Sequence, residues 1–449
     1  MGAAPDDKHA YDAAVVEGDP HGFRMRSARI CGVSMGRRGR IGETMRAIGP
    51  ELISGAADND PTNVGTAVAV GAATGYQLAW VALLVAPLLG VVQTIAAHVG
   101  SVARADLQTL TLKRYGRKVA ATLLVSVVVV NVVTIAADLQ AGAVGIGLLA
   151  GVDSRWLVLP LGLVLVGLLL IGKYDEVVGL LRYLLLGFLA FAAAAVLAHP
   201  DWSRLLRSTL VPTLSLRPDV LAGALALLGT TLTSYVYVWE TIERGVEEPA
   251  EDTGDGRGPA RARFGAAIGA VCTAVIFWFM LVASAATLGE HHQPVASVQD
   301  AAESLRPLAG PLAANLFAVG LITSAVVALP VLMATTAYVV GAHFDWRRGL
   351  SEPVHDAGGF YGVLAASVGL AVAVSLAGIP VISMLVAASV IGGLATPLGV
   401  AILVLLGRDH TVMGTQPISG RLAIAGWTVV AVVGGFGLLY AGGAALGTF

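Results

Sequence analysis

The sequence predicts an all-α polytopic membrane protein of about eleven transmembrane helices, folded as two inverted halves that each begin with a broken helix. Three observations lead there. Hydrophobic residues fill 56% of the 449 positions and charged residues only 13%, whereas a soluble domain carries about 25% charge. Apolar runs long enough to cross a hydrocarbon core of about 30 Å occupy nearly everything outside two polar stretches, the tail to about Arg46 and residues 243–263. The first and sixth runs are each interrupted midway by polar residues.

Composition also excludes. Cys31 lies in the tail and Cys272 in an apolar run, too isolated for a disulfide or a thiolate metal site. A formal charge of −2 gives no nucleic-acid surface. Met1 to Ala10 hold no apolar run, so the spans themselves are expected to direct insertion. No cofactor and no enzymatic centre is expected.

Taken in order, the predicted spans are 45–74, 76–100, 118–150, 155–172, 176–198, 218–243, 264–289, 309–341, 358–378, 381–406 and 420–446. The break between the first two rests on Ala73-Thr74-Gly75-Tyr76 alone. Orientation follows from Lys and Arg in alternate loops. With the N-terminus inside, the inner set holds 22, including the 104–118 and 244–263 loops, and the outer set holds five: Arg155, Arg204, Arg207, Arg217 and Arg306. A cytoplasmic N-terminus and an external C-terminus are expected, in the cell membrane.

Span one reads Ser54-Gly55-Ala56-Ala57-Asp58-Asn59-Asp60-Pro61-Thr62-Asn63 at its break, and span six reads Gly229-Thr230-Thr231-Leu232-Thr233-Ser234-Tyr235. Matching breaks in two inverted halves point to a transporter's midplane site. The division is then a tail (1–44, expected to be disordered), spans one to five (45–200), spans six to ten (218–406) and a peripheral eleventh span (420–446).

Irregular backbone at membrane depth is tolerated only where it is buried in protein or lines a cavity. Pro61 cannot donate a hydrogen bond and disfavours helix at Asp60. An unwound stretch over 58–61 is expected, with Asp60 and Asn63 on one face once helix resumes. The side-chain set is carboxylate, amide and hydroxyl, which with carbonyls suits Mg²⁺, Mn²⁺ or Ca²⁺. The plainer reading makes Asp60 a helix cap bonded to nearby amides. Residues 58–63 lack the glycine and distal glutamate of an EF-hand loop.

Asp138 is the other deep acid, suited either to a proton-carrying or supporting role or to pairing with a Ser or Thr. Glu240 and Glu243 fall at the inner end of span six, as solvated or vestibule surface or on an exit path. All nine histidines fall in tails, loops or span ends, and His291-His292 reads as outer loop.

Several stretches resemble the NRAMP divalent-metal transporters, over roughly 41–445. Asp60-Pro61-Thr62-Asn63 is similar to that family's Asp-Pro-Gly-Asn motif. Gly75-Tyr76, Trp80 and Gln93-Thr94-Ile95-Ala96-Ala97-His98-Val99-Gly100 resemble its second helix, Ala137-Asp138-Leu139 its third, and residues 308–314 with 317–321 the start of its eighth. The resemblance implies the LeuT-type 5+5 fold of the amino acid–polyamine–organocation class. It also implies that Asp60 and Asn63 ligate the ion, with carbonyls near Ala57 and at Thr230 and the side chain of Thr233.

Departures cluster at this site. The family's Met-Pro-His stands here as Thr233-Ser234-Tyr235, the acid three residues after Asp138 is Ala141, and a glutamine of the tenth helix aligns with Ser389. Asp138, Asp58, Tyr235, Ser389 and Glu240 are the groups expected behind the ligands or on a proton path. Replacing thioether by hydroxyl removes a preference for soft ions, and small side chains leave room for the waters that Mg²⁺ gives up reluctantly. The pattern resembles a divergent branch in which magnesium is a substrate and proton coupling is weak or absent.

The expectation is a monomeric importer of Mn²⁺ and/or Mg²⁺ by alternating access, with the ion and the bilayer as partners. The alternatives are proton-coupled Mn²⁺/Fe²⁺ uptake using Asp138, an amino acid carrier on the same fold, and a homologue that binds without transporting.

Overall fold

The computed structural model describes residues 59–171, 188–213, 215–247, 258–289 and 295–446, and these contain helices and no strand. The tail 1–44, Ala57 and Asp58, the first part of span five and His291-His292 lie outside the described residues.

Helix α1 (Pro61–Thr74) begins where the proline demands. Pro61 takes a position whose N–H would have no intrahelical partner in any case, and Asp60 caps the helix with a side-chain oxygen. A 3₁₀ turn (Gly75–Leu78) follows, then α2 (Ala79–Ala103). The weak break at residues 73–76 is therefore a bend between two helices, entered at Gly75 with φ 58°.

Helix α3 (Leu107–Ala150) starts eleven residues before the predicted span, within the 104–118 loop. Asp106 caps it by accepting from the Thr109 amide at 2.8 Å, and Gly116, at φ 80°, interrupts it, so residues 107–115 form a separate helical piece. Helix α4 (Arg155–Ile171) and the described part of span five, α5 (Leu189–Leu197), follow.

Helix α6 (Trp202–Leu210) occupies a stretch that reads as an outer loop. Asp201 accepts hydrogen bonds from the amides of Ser203 and Arg204, both at 3.0 Å, and these hold its carboxyl below the usual range. Leu205 and Thr209 turn inward while Trp202, Leu206 and Leu210 are exposed. Nine residues cannot cross a bilayer, and this two-faced pattern suits a helix lying in the interface. Span prediction by apolar length has no means of finding it.

The sixth span divides into α7 (Pro218–Thr231) and α8 (Ser234–Ile242). Then come α9 (Gly258–Ser284), a series of short turns over 298–312, α10 (Ala313–His343), α11 (Gly358–Ser375), α12 (Val381–Arg408) and α13 (Gly420–Ala445). Eight helical stretches among the described residues are long and apolar enough to cross a membrane, one of them joining α1 to α2.

Packing repeats across the two halves. Helix α3 runs along α10 and α2 along α9, and each pair joins spans five apart in the chain. The half-helix α8 packs on α2 just as α1 packs on α9. In lipid the contacts rely on small residues rather than on hydrophobic expulsion. Gly142 and Gly145 of α3 face Ala325 and Ile322 of α10, where an added Cβ would come within 3.0 Å of a neighbour. Helix α12 touches α1, α3, α7 and α13. Both broken segments are thereby enclosed by α3, α10 and α12.

Candidate metal centre

At the first break Asn59 and Asp60 are non-helical and Asp60 is fully buried. Its Oδ1 accepts the Asn63 amide at 2.6 Å and its Oδ2 accepts the Tyr235 hydroxyl at 3.0 Å. The cap reading is correct for one oxygen, and the other reaches across to the second break. The carboxylate belongs to both broken helices.

The polar interruption of the sixth span reads 229–235, and the structure confines the non-helical backbone to Leu232 and Thr233. Thr230 and Thr231 remain the last turn of α7, whose backbone ladder ends with the Leu232 N–H donating to the Leu228 carbonyl at 3.0 Å. Thr233, extended at φ −63° and ψ 155°, occupies the cap position of α8 without making a cap hydrogen bond. The hydroxyls of Thr230 and Thr233 are buried and have no hydrogen-bond partner among the described residues. Leaving a buried hydroxyl so costs about 1–3 kcal/mol. Two such groups beside the break, two and five residues from the tyrosine that binds Asp60, mark a place suited to a ligand.

The other groups anchor the breaks. Thr62 donates to Asp138 Oδ1 at 2.5 Å, while Asp138 Oδ2, fully buried, has no donor among the described residues. Two turns earlier on the same face of α3, Asn131 accepts from Ser234 at 3.2 Å and donates to Thr336 of α10 at 3.1 Å. Ser324 of α10 donates to the Asn59 carbonyl at 2.6 Å, and Thr396 of α12 to the Leu232 carbonyl at 2.7 Å. Ser389 uses its proton on the Leu385 carbonyl at 2.9 Å, so Thr66 of α1 is the donor in their 2.7 Å contact. Just before the second break, a Cβ on Gly229 would overlap the backbone of Ser389 and Gly393, so α7 and α12 meet there main chain to main chain.

Of the residues singled out in the sequence, the structure thus brings Asp60, Asn63, Thr230, Thr233 and Tyr235 to the two breaks. Asp138 and Ser389 touch the first through Thr62 and Thr66. Glu240 stays apart, paired at 3.1 Å with Arg244 just beyond the end of α8. Ala57 and Asp58 lie outside the described residues. Thr62, Thr66, Asn131, Ser324, Thr336 and Thr396 carry no role in the sequence reading. Their signal was available only for Asn131, the one amide side chain within residues 119–137 and seven residues before Asp138. Among the described residues no three His, Cys, Asp or Glu gather.

A cavity of about 770 Å³ opens near the end of α1 and the starts of α7 and α12, lined by Ala69, Thr74, Asp219, Ile382 and Tyr440 among others. Thr66 lies three residues along α1 from Ala69, toward Asp60, and contacts Ser389 of α12.

The Nramp family model (natural resistance-associated macrophage protein-like) matches residues 51–440. The chain belongs to this family. Among curated Nramp relatives, the divalent metal cation transporter MntH of Deinococcus radiodurans is 27% identical over 399 residues, covering 86% of this chain and 87% of that protein. MntH of Yersinia pestis is 29% identical, covering 62% of this chain and 68% of its own length. A crystal structure of a variant of the Eremococcus coleocola manganese transporter superposes with a TM-score of 0.68 at 18% identity, covering 91% of this chain and 88% of the other. Mhp1, a nucleobase-cation-symport-1 family transporter, superposes at 0.57 with 13% identity, covering 88% of each chain. These likenesses show the fold, in which Nramp and nucleobase carriers share the LeuT-type arrangement of two inverted halves. A fold common to metal and nucleobase carriers leaves substrate choice to the site.

Proposed function

We propose that this Nramp protein imports hard divalent cations, Mn²⁺ and/or Mg²⁺, by alternating access and without strong proton coupling. The observation that carries the reading is the pairing of a buried carboxylate with oxygen-only surroundings. Asp60 is linked to the second break by Tyr235, and the two hydroxyls there, Thr230 and Thr233, lack partners among the described residues.

In this reading Asp60, Asn63 and Thr233 hold the ion through side-chain oxygens and Thr230 through its carbonyl, with the Ala57 carbonyl as a further ligand. Hydroxyl in place of thioether favours hard ions. A threonine is also shorter than a methionine, leaving space for retained water. The MntH relatives are named as divalent metal cation transporters, which supports the substrate class.

Weak coupling follows from what the site lacks. Tyr235 and Ala141 stand where the resemblance places a histidine and an acid, and Asp138 is tied to Thr62. The test is uptake of Mn²⁺ and Mg²⁺ into liposomes, with and without a pH gradient, by wild type and Asp60→Ala. Wild type is expected to take up both ions with little acidification of the lumen, and the variant neither. Absence of divalent flux in wild type, or normal flux in Asp60→Ala, refutes the proposal. Lumen acidification that tracks Mn²⁺ entry favours the proton-coupled alternative.

A further inference from the structure

We infer that Tyr235 is a positioning residue that satisfies the Asp60 carboxylate while no ion is bound to it, and thereby sets the rate at which the empty carrier returns. The inference rests on the ion-import reading above. A carrier that delivers a cation without taking a proton in exchange must bring its site back unloaded. That step holds a carboxylate inside the membrane with no counter-ion, at a cost of several kcal/mol unless donors replace the ion.

Asp60 has such donors from the chain itself. Oδ1 receives the Asn63 N–H and Oδ2 the Tyr235 O–H, so each oxygen has a donor from the protein. They come from different places, the first turn of α1 and the first turn of α8, and the second bond forms only when the two half-helices are apposed. The neighbouring Ser234 is fastened to Asn131 of α3, which fixes the turn that carries Tyr235. A phenol supplies a hydrogen bond without adding charge, whereas a protonated imidazole would add a positive charge facing the incoming cation. The donor set is specific to Asp60, because the other deep acid, Asp138, has only one oxygen so served among the described residues.

The distinguishing experiment compares two transport modes in the same liposomes with the membrane potential clamped at zero. Net uptake of Mn²⁺ into Mn²⁺-free vesicles needs the empty return, and exchange of labelled Mn²⁺ at equal concentrations on both sides does not. In Tyr235→Phe, net uptake is expected to fall about tenfold, the worth of one hydrogen bond to a charged group, while exchange stays within about twofold of wild type. Tyr235→Gln, which keeps an N–H donor, is expected to recover most of the net uptake. Equal loss of both modes in Tyr235→Phe, or net uptake that survives the loss of the hydroxyl, overturns the inference. A general structural defect cannot produce the split, since exchange reports the folded protein. Wild type that moves Mn²⁺ in neither mode refutes the import reading itself.

Discussion

The two breaks face each other but are made differently. The first carries charge: Asp60 is buried there, and its helix holds the second acid, Asp138, through Thr62. The second offers neutral oxygen from Thr230, Thr233, Ser234 and Tyr235. The first is held by Asp138 of α3, Ser324 of α10 and Ser389 of α12 and the second by Asn131 of α3 and Thr396 of α12, so supporting helices are shared while the chemistry is divided. In the proposed reading one break supplies the attraction for a cation, and the other, by lacking a thioether, sets which cation is preferred.

The division predicts effects of decreasing size. Asp60→Ala removes the only carboxylate on the first break among the described residues and is expected to lower Mn²⁺ uptake by about 100-fold, roughly 2.7 kcal/mol. Normal uptake would move the charge, and the site, elsewhere. Thr233→Met restores a thioether to the second break and is expected to raise the preference for Cd²⁺ over Mg²⁺ about tenfold, read by competition against Mn²⁺ uptake. An unchanged preference would mean that Thr233 does not face the ion.

The supports should differ in the same sense. Thr62→Val strips a donor from a buried carboxylate and is expected to cost about 1.5–3 kcal/mol of stability. Ser234→Ala strips one from a neutral amide and should cost about 1 kcal/mol. Melting in detergent compares them, and equal shifts would mean that charge does not distinguish the two breaks. The smallest effect lies outside both. Asp409, beyond α12, accepts from Thr411 and pairs with Arg114, which together hold its carboxyl down to about 2. A depressed carboxyl contributes stability fully above its unfolded value and loses it as pH falls through the folded one. Asp409→Asn should therefore leave uptake unchanged and lower the melting temperature slightly at pH 7, with the difference vanishing near pH 2.

The breaks were legible in the sequence because they violate the apolar pattern around them. A proline, two carboxylates and two amides stand out in an apolar span, and Thr230 to Tyr235 stand out half a chain later. The proline marked the unwinding before α1, although the expected unwound stretch, 58–61, includes Pro61, which is the first residue of the helix. What stayed hidden was pairing over distance. Thr66 with Ser389 and Thr396 with Leu232 join residues 323 and 164 positions apart, and a lone threonine in a membrane helix also has its own i−4 carbonyl as a local partner. Tyr235 reads in the sequence as a histidine's replacement, behind the ligands or on a proton path, and its bond to Asp60 emerges only from the fold. Helix α6 was hidden for another reason, since interfacial helices are defined by two faces rather than by length.

The central claim is that an oxygen-only second break makes this a site for hard cations. Competition for Mn²⁺ uptake by wild-type protein in liposomes tests it most directly, with Mg²⁺ and Cd²⁺ titrated as inhibitors. The account predicts that Mg²⁺ competes within about tenfold of Cd²⁺, because no soft donor rewards the larger ion. If Cd²⁺ blocks uptake at concentrations orders of magnitude below those at which Mg²⁺ has any effect, the site is soft and the account is wrong.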